Sequence, residues 1–301
     1  SIYQSHLERS PDQTMLIEHD RSVSYQQFDQ QVKACASWLS KQGIQPGDRV
    51  AVWLVNRVEW LVLLFALSRL GATLVAVNTK YRSHEVHYIL SNSQASVLIL
   101  QLHFLKIDFA NIIQEVDAST LPHLQKVFVV DSTADTPTTL LGKQPVAFPA
   151  DLIQAEPAPL TFVEPDPDSS AVFFTTSGTT KGPKLVMHTQ RTLSTHAGHV
   201  ATGYELAHPD NKLIAGLPFC GVFGLNSALA AIKAGMPVVI MDFFDVATAT
   251  TLIQQHNVTH IFGSDEMLRM FVQHLAKGDN PAIPFPSLKL FGFSRVGMIA
   301  K

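Results

Sequence analysis

A rhythm constrains this chain more than anything else in it: short β-branched runs recur between stretches of helical periodicity along most of its length. Ser24 with Gln27 three residues on makes a capping box, and Phe28, Val32, Cys35, Ala36 and Leu39 then return at helical spacing, predicting a helix over 24–41. Gly43 and the turn Pro46-Gly47-Asp48 end it, and 49–55 (RVAVWLV) has the unbroken apolar character of a buried parallel strand. A helix over 57–69 closes at Gly71; strands at 73–77, 96–100 and 126–130 then alternate with helices at 83–91 and 107–117. Residues 131–170 break the pattern with Thr, Asp and many prolines, ending in Glu164-Pro165-Asp166-Pro167-Asp168, and are expected to form a long surface connection. The alternation resumes with strands at 171–175, 212–217, 237–241, 258–262 and 288–293 and helices at 190–203, 224–234, 246–256 and 265–276. Such a chain winds into α/β sheets. A sheet of that kind normally covers its last strand with a helix, so the carboxyl end has the look of an interruption.

Composition narrows the function classes. With 46% hydrophobic and 16% charged residues over 301 positions, a core of ordinary size is expected, and two α/β units are the prior for that length. The formal net charge of -3 argues against nucleic acid as a partner. Cys35 and Cys220 are the two cysteines, with no C-x-x-C pair, which suggests buried thiols and a cytoplasmic setting. The amino end carries no export signal, and the most apolar run, Trp60 to Leu67, is far shorter than a membrane span.

The segment richest in chemistry directly follows a strand: Phe173-Phe174-Thr175-Thr176-Ser177-Gly178-Thr179-Thr180-Lys181-Gly182-Pro183-Lys184. Five hydroxyls, backbone amides freed by two glycines, and two ammonium groups can converge there on one anion, as a nest does on phosphate oxygens. A flexible hydroxyl-rich connector is the plainer alternative. A Walker loop is excluded, because Pro183 stands where Lys followed by Ser or Thr is required.

This string resembles the signature T-S-G-T-T-G-x-P-K-G-V of the adenylate-forming (AMP-binding) superfamily, which includes acyl-CoA synthetases, peptide adenylation domains and luciferases. Thr176, Ser177, Gly178, Thr179, Thr180, Pro183, Lys184 and Val186 match it, whereas Lys181 and Leu185 replace glycines. Pro46-Gly47-Asp48-Arg49-Val50-Ala51, Asn56 with Glu59, Leu70-Gly71-Ala72 and Val77-Asn78 also fall at the family's spacing, so the resemblance covers nearly the whole chain. It implies an α/β fold of two stacked, doubly wound, mostly parallel sheets in αβαβα layers, incomplete at the carboxyl end and lacking the family's small carboxyl-terminal domain. The expected subdomains are 46–188, and 1–45 together with 189–301.

The resemblance further implies activation of a carboxylic acid, fatty or otherwise apolar, by ATP, with coenzyme A as the thiol that takes the acyl group. Thr176, Ser177, Gly178, Thr179, Thr180, Lys181 and Lys184 would then hold the phosphates. Gly292, Phe293 and Ser294 stand at the adenine side, where the family has Gly-Gly-Ala-Pro and only Gly292 clearly survives. Phe219, Cys220, Gly221, Phe223, Gly263 and Ser264 would line the acyl pocket, with Gly221 where similar enzymes often carry His. Ordinary helix-start packing is the alternative for Gly221, and capping of a helix by Ser264, Asp265 and Glu266 the alternative for the second segment. The magnesium carboxylate, the ribose-binding segment and the catalytic lysine of the family are expected beyond residue 301, so no catalytic residue is assigned and the chain by itself is expected to be inactive.

Other constellations carry less. His84 with His87 and His196 with His199 fit no zinc motif, so no metal site is assigned. Gly292-Phe293-Ser294-Arg295-Val296-Gly297 has one residue too many for a nucleophile elbow, which removes a hydrolase. Beside the acid–thiol ligase, a non-catalytic nucleotide- or acyl-binding module derived from one stays open, and a phosphotransferase is disfavoured by the missing Walker pair. Neither the identity of the acid nor the oligomeric state follows from the sequence, and a homo-oligomer remains open.

Overall fold

The computed structural model describes residues 2–151, 166–176, 184–276 and 285–294. It is an α/β protein with two large, mostly parallel sheets, and its chain divides into two compact units: 1–28, 56–58 and 194–301; and 29–55 with 59–193.

The second unit holds a seven-stranded sheet. Strand Arg49–Trp53 lies near its centre, flanked in parallel by Thr73–Ala76 on one side and Val97–Gln101 on the other. All but the first residue of Arg49–Trp53 are buried, as its unbroken β-branched run requires of a strand covered on both faces. The two turns singled out in the sequence meet here: Gly47 N donates to Gly71 O at 2.8 Å, both glycines have positive φ, and a Cβ on Gly71 would lie 3.3 Å from that of Pro46. Beyond the carboxyl ends of the central strands, the Gln101 side chain accepts from Val55 N at 3.0 Å, and Trp53 Nε1 donates to Asn78 O at 3.1 Å.

The first unit holds a six-stranded sheet in the order Leu290–Ser294, His260–Ser264, Leu213–Ala215, Val238–Ile240, Thr14–Glu18, Arg21–Ser24. From Leu213–Ala215 the winding goes to Val238–Ile240 on one side and returns to His260–Ser264 on the other. That reversal leaves a crevice at the strands' carboxyl ends, where open α/β sheets bind ligands.

Several elements differ from expectation. The amino-terminal segment forms a helix, Gln4–Arg9, and an antiparallel strand pair, Thr14–Glu18 with Arg21–Ser24, turned at His19 with φ of 50°. These pieces are too short to show a period. The helix expected over 107–117 shrinks to Phe109–Gln114, capped by Asp108 and preceded by a two-residue hairpin. Within the 131–170 connection, Val146–Ala147 adds a parallel edge to Lys126–Val130. The capping box at Ser24 forms as drawn: Ser24 N donates to Gln27 Oε1 at 2.9 Å, and Gln27 N to Ser24 Oγ at 3.2 Å. No helix among the described residues is long and apolar enough to cross a membrane.

Candidate functional site

Two places in the fold concentrate the residues singled out in the sequence. The first is in the second unit. Strand Ser170–Thr176 runs parallel to Thr73–Ala76 on one side and pairs on the other with an antiparallel strand, Lys184–Thr189, which the sequence pattern does not predict. Thr176 and Lys184 are the last register partners of that pair, both exposed, so they flank the connecting segment from its two sides. The remaining residues assigned to the phosphates, Ser177, Gly178, Thr179, Thr180 and Lys181, lie outside the described residues. The first strand of the hairpin is tied at both ends: Tyr81 Oη and Thr175 Oγ1 are 2.7 Å apart beside the connecting segment, and Thr73 Oγ1 donates to Ser170 O at 3.3 Å at the opposite end. At the far end Arg191 grips Asp168 through Nε and Nη2 at 2.7 and 2.9 Å, and that guanidinium holds the Asp168 carboxyl below the usual range.

The second place is the crevice of the first unit. After strand Leu213–Ala215 the chain turns through Pro218 to Gly221, with Gly221 N donating to Pro218 O at 3.1 Å, and enters helix Val222–Ala234. Asn56 holds this turn by both ends of its carboxamide: Nδ2 donates to Leu217 O at 2.8 Å and Oδ1 accepts from Phe219 N at 2.7 Å. Gly224 is forced by the same turn, since a Cβ there would sit 2.2 Å from Pro218 O. Gly221 is the helix N-cap, with open space around a notional Cβ apart from Pro218 O at 3.5 Å.

A pocket of about 290 Å³ opens beside this turn, lined by His196 and Val200 from helix Gln190–Gly203, Tyr204 just past its end, Val222, Phe223, Asn226 and Ser227 from the next helix, and Phe262 from strand His260–Ser264. Of the residues assigned to the acyl pocket from sequence, Phe223 is on its wall. Phe219 and Cys220 are buried in the turn, and Gly263 lies against Met267 and Phe291. Ser264 accepts from Met267 N at 3.2 Å, as a helix cap does. Phe262 and Asn226 were missed by sequence reasoning; the signal for Phe262 was its place immediately before Gly263, and for Asn226 its polarity within an apolar helix. On the adjoining strand, Gly292 pairs with Phe262, Phe293 with Gly263 and Ser294 with Ser264. Among the described residues no group of three His, Cys, Asp or Glu side chains converges.

A family model for AMP-binding enzymes matches residues 3–298. The chain belongs to the AMP-binding enzyme family. It is 31% identical over 271 residues to 3-[(3aS,4S,7aS)-7a-methyl-1,5-dioxo-octahydro-1H-inden-4-yl]propanoyl:CoA ligase of Mycobacterium tuberculosis, covering 89% of this chain and 52% of that one. It is 28% identical over 239 residues to the long-chain-fatty-acid–CoA ligase FadD13 of the same species, covering 79% and 44%. The structure of O-succinylbenzoate coenzyme A synthetase (MenE) from Bacillus subtilis in complex with AMP matches with a TM-score of 0.74 at 21% identity, over 98% of this chain and 67% of that one, a likeness of fold. The chain spans about half the length of the curated relatives it matches.

Proposed function

We propose that this chain carries the phosphate-gripping and acid-binding parts of an ATP-dependent acid–thiol ligase of the acyl-CoA synthetase type. In that reaction a carboxylate oxygen attacks the α-phosphorus of ATP, the bond to the β-phosphate breaks, and pyrophosphate leaves. A thiolate, here assigned to coenzyme A, then attacks the acyl carbon and AMP departs. The observation that supports the reading is the register of the hairpin, in which Thr176 and Lys184, the residues that bound 177–183, are partners. Donors and a cation fixed there would meet charge growing on the departing pyrophosphate, which is how nucleotidyl transfer is chiefly accelerated.

The proposed phosphate group comprises Thr176 to Lys181 with Lys184; Gly292, Phe293 and Ser294 are assigned to adenine; and Phe219, Cys220, Gly221, Phe223, Gly263 and Ser264 to the surroundings of the acid. The relatives named as CoA ligases support the reaction class, and the apolar pocket beside Phe223 supports a largely apolar acid. We also assign the protein to the cytoplasm, because Cys35 and Cys220 are both buried and the sequence has no C-x-x-C pair or disulfide framework.

Acid-dependent exchange of labelled pyrophosphate into ATP, run with the 301-residue chain and with the product of the whole gene, tests the assignment. Exchange by the gene product with at least one acid is expected, and its absence across a broad panel sinks the ligase reading. Binding is tested separately by thermal unfolding, where ATP at 100 times its dissociation constant stabilises by about 2.7 kcal/mol.

A further inference from the structure

The hairpin of Ser170–Thr176 with Lys184–Thr189 needs a hold at the end that bounds 177–183. Lys184–Thr189 is the outermost strand of its sheet, with Val186 and Met187 exposed, so packing holds it weakly. Strand Ser170–Thr176 pairs on both sides, but its ladder with Thr73–Ala76 covers Val172 and Phe173 and stops short of Thr175 and Thr176. Past Phe173 the two hairpin strands have each other and one side-chain tie, the 2.7 Å hydrogen bond between Thr175 Oγ1 and Tyr81 Oη.

Tyr81 is fixed from the core side. Its half-buried ring packs against the cluster that contains Trp53, Val75, Leu98 and Leu100. Its N–H donates to Asn78 O at 3.0 Å, and the same carbonyl accepts from Nε1 of the fully buried Trp53 at 3.1 Å. Asn78 Oδ1 closes the turn by accepting from Lys80 N at 2.9 Å, and Arg82 N donates to Glu85 Oε2 at 3.0 Å where helix Ser83–Ser93 begins. A ring held in this way gives its hydroxyl a fixed place, set by the core and not by the exposed hairpin. Thr175 is β-branched and stiff about its Cα–Cβ bond, so a bond to its Oγ1 restrains the backbone of residue 175 as well. The next residue is Thr176, whose register partner is Lys184.

Resting on the ligase reading, we propose that Tyr81 is a positioning residue for ATP: its hydroxyl, acting through Thr175, holds Thr176 and Lys184 where they take the phosphates. Groups already ordered before a ligand arrives lose less freedom when it binds, so the tie strengthens ATP binding without Tyr81 touching the nucleotide. Its effect belongs to ATP and not to the acid.

The test uses Tyr81→Phe, which keeps the packed ring and removes the hydroxyl, with Thr175→Val, Thr175→Ser and the Tyr81→Phe, Thr175→Val double variant. Amide hydrogen exchange of the intact 301-residue chain, read by mass spectrometry, reports the tie itself. Tyr81→Phe is expected to exchange faster in the peptides spanning Ser170–Thr176 and Lys184–Thr189 and at the wild-type rate in Arg49–Trp53 and Val97–Gln101. ATP titrated into the same samples is expected to bind about three- to tenfold more weakly, the scale of one hydrogen bond. In the product of the whole gene, KM for ATP in pyrophosphate exchange should rise by a similar factor while KM for the acid stays put. Thr175→Val should match Tyr81→Phe, the double variant should be no worse than either, and Thr175→Ser, which keeps a hydroxyl, should stay near wild type. Unchanged exchange in the hairpin, wild-type ATP affinity in Tyr81→Phe, additive losses in the double variant, or an equal rise in both KM values would each overturn the proposal. Thr175→Val reads the same bond from its other end, so the outcome does not depend on Tyr81→Phe folding. Faster hairpin exchange in a protein that binds no ATP as wild type removes the ligase reading and leaves Tyr81 as the tie of the hairpin; ATP binding that Tyr81→Phe does not alter does the reverse.

Discussion

Gly292 sits directly opposite Phe262 in the parallel ladder, and the Phe262 ring lies across it: a Cβ on Gly292 would be 2.8 Å from Cδ1 of that ring. The glycine gives the buried aromatic its berth, and the aromatic in turn forms the floor of the pocket. Gly292→Ala must therefore push the ring toward Tyr204 and Phe223. The expected outcome is a loss of about 1–3 kcal/mol in thermal unfolding, the usual cost of overpacking, together with weaker acid binding. Unchanged unfolding and unchanged binding would show that the ring has room to step aside.

Asn56 offers a cleaner test of how the pocket turn is held. Its carboxamide is 3% exposed and satisfies Leu217 O and Phe219 N at once. Asn56→Ala strands both backbone groups and should cost about 1–3 kcal/mol. Asn56→Asp keeps the acceptor for Phe219 N but turns a buried carboxylate oxygen toward Leu217 O, so at neutral pH it should be less stable than alanine in chemical denaturation. An aspartate variant as stable as wild type would mean that the donor to Leu217 O does not matter.

Lys184 and Thr176 are exposed, so removing their side chains should leave folding nearly untouched, within about 0.5 kcal/mol. Lys184→Ala is expected to weaken ATP binding about tenfold or more, the scale of one charge-assisted hydrogen bond, and Thr176→Ala by less. Calorimetric titration of ATP into both variants reads this. Wild-type affinity in the lysine variant would take Lys184 out of the phosphate group.

How much of this was legible in the sequence follows from how each signal arises. Helices 246–256 and 265–276 were placed to the residue, because a long amphipathic period and a cap such as Asp245, which accepts from Thr248 N at 2.8 Å, are local properties. Strand Lys184–Thr189 was not, because its pattern of exposed Val186 and Met187 at a sheet edge carries no alternation. The turns at Gly47 and Gly71 could be recognised separately, but their hydrogen bond to each other belongs to the tertiary fold. The pocket was half legible: Phe223 follows a strand end and a turn, whereas Asn226 and Phe262 become neighbours only when the sheet reverses its winding.

The lower edge of the first unit's sheet carries a pH dependence of its own. His260, 5% exposed, precedes the buried run of its strand, and burial followed by the nearby Lys289 cation pulls its imidazole below the ordinary value near 6.5. Burial and then Lys212 do the same to His256, whose Nε2 has no hydrogen-bond partner among the described residues. A histidine held neutral by the fold takes its proton more readily once the chain unfolds. Between the lowered folded value and about 6.5 the unfolded chain therefore binds more protons, and stability must fall as pH drops through that window and be fully present above it. The carboxylates of Asp117, Asp168 and Asp245, held below 3.8 by their hydrogen bonds, lose their contribution only at much lower pH, so the two effects separate. Melting temperatures should thus decline between about pH 7.5 and 5.5, with a shallower decline in a His256→Gln, His260→Gln double variant. An identical slope in both proteins would assign the acid sensitivity to other groups.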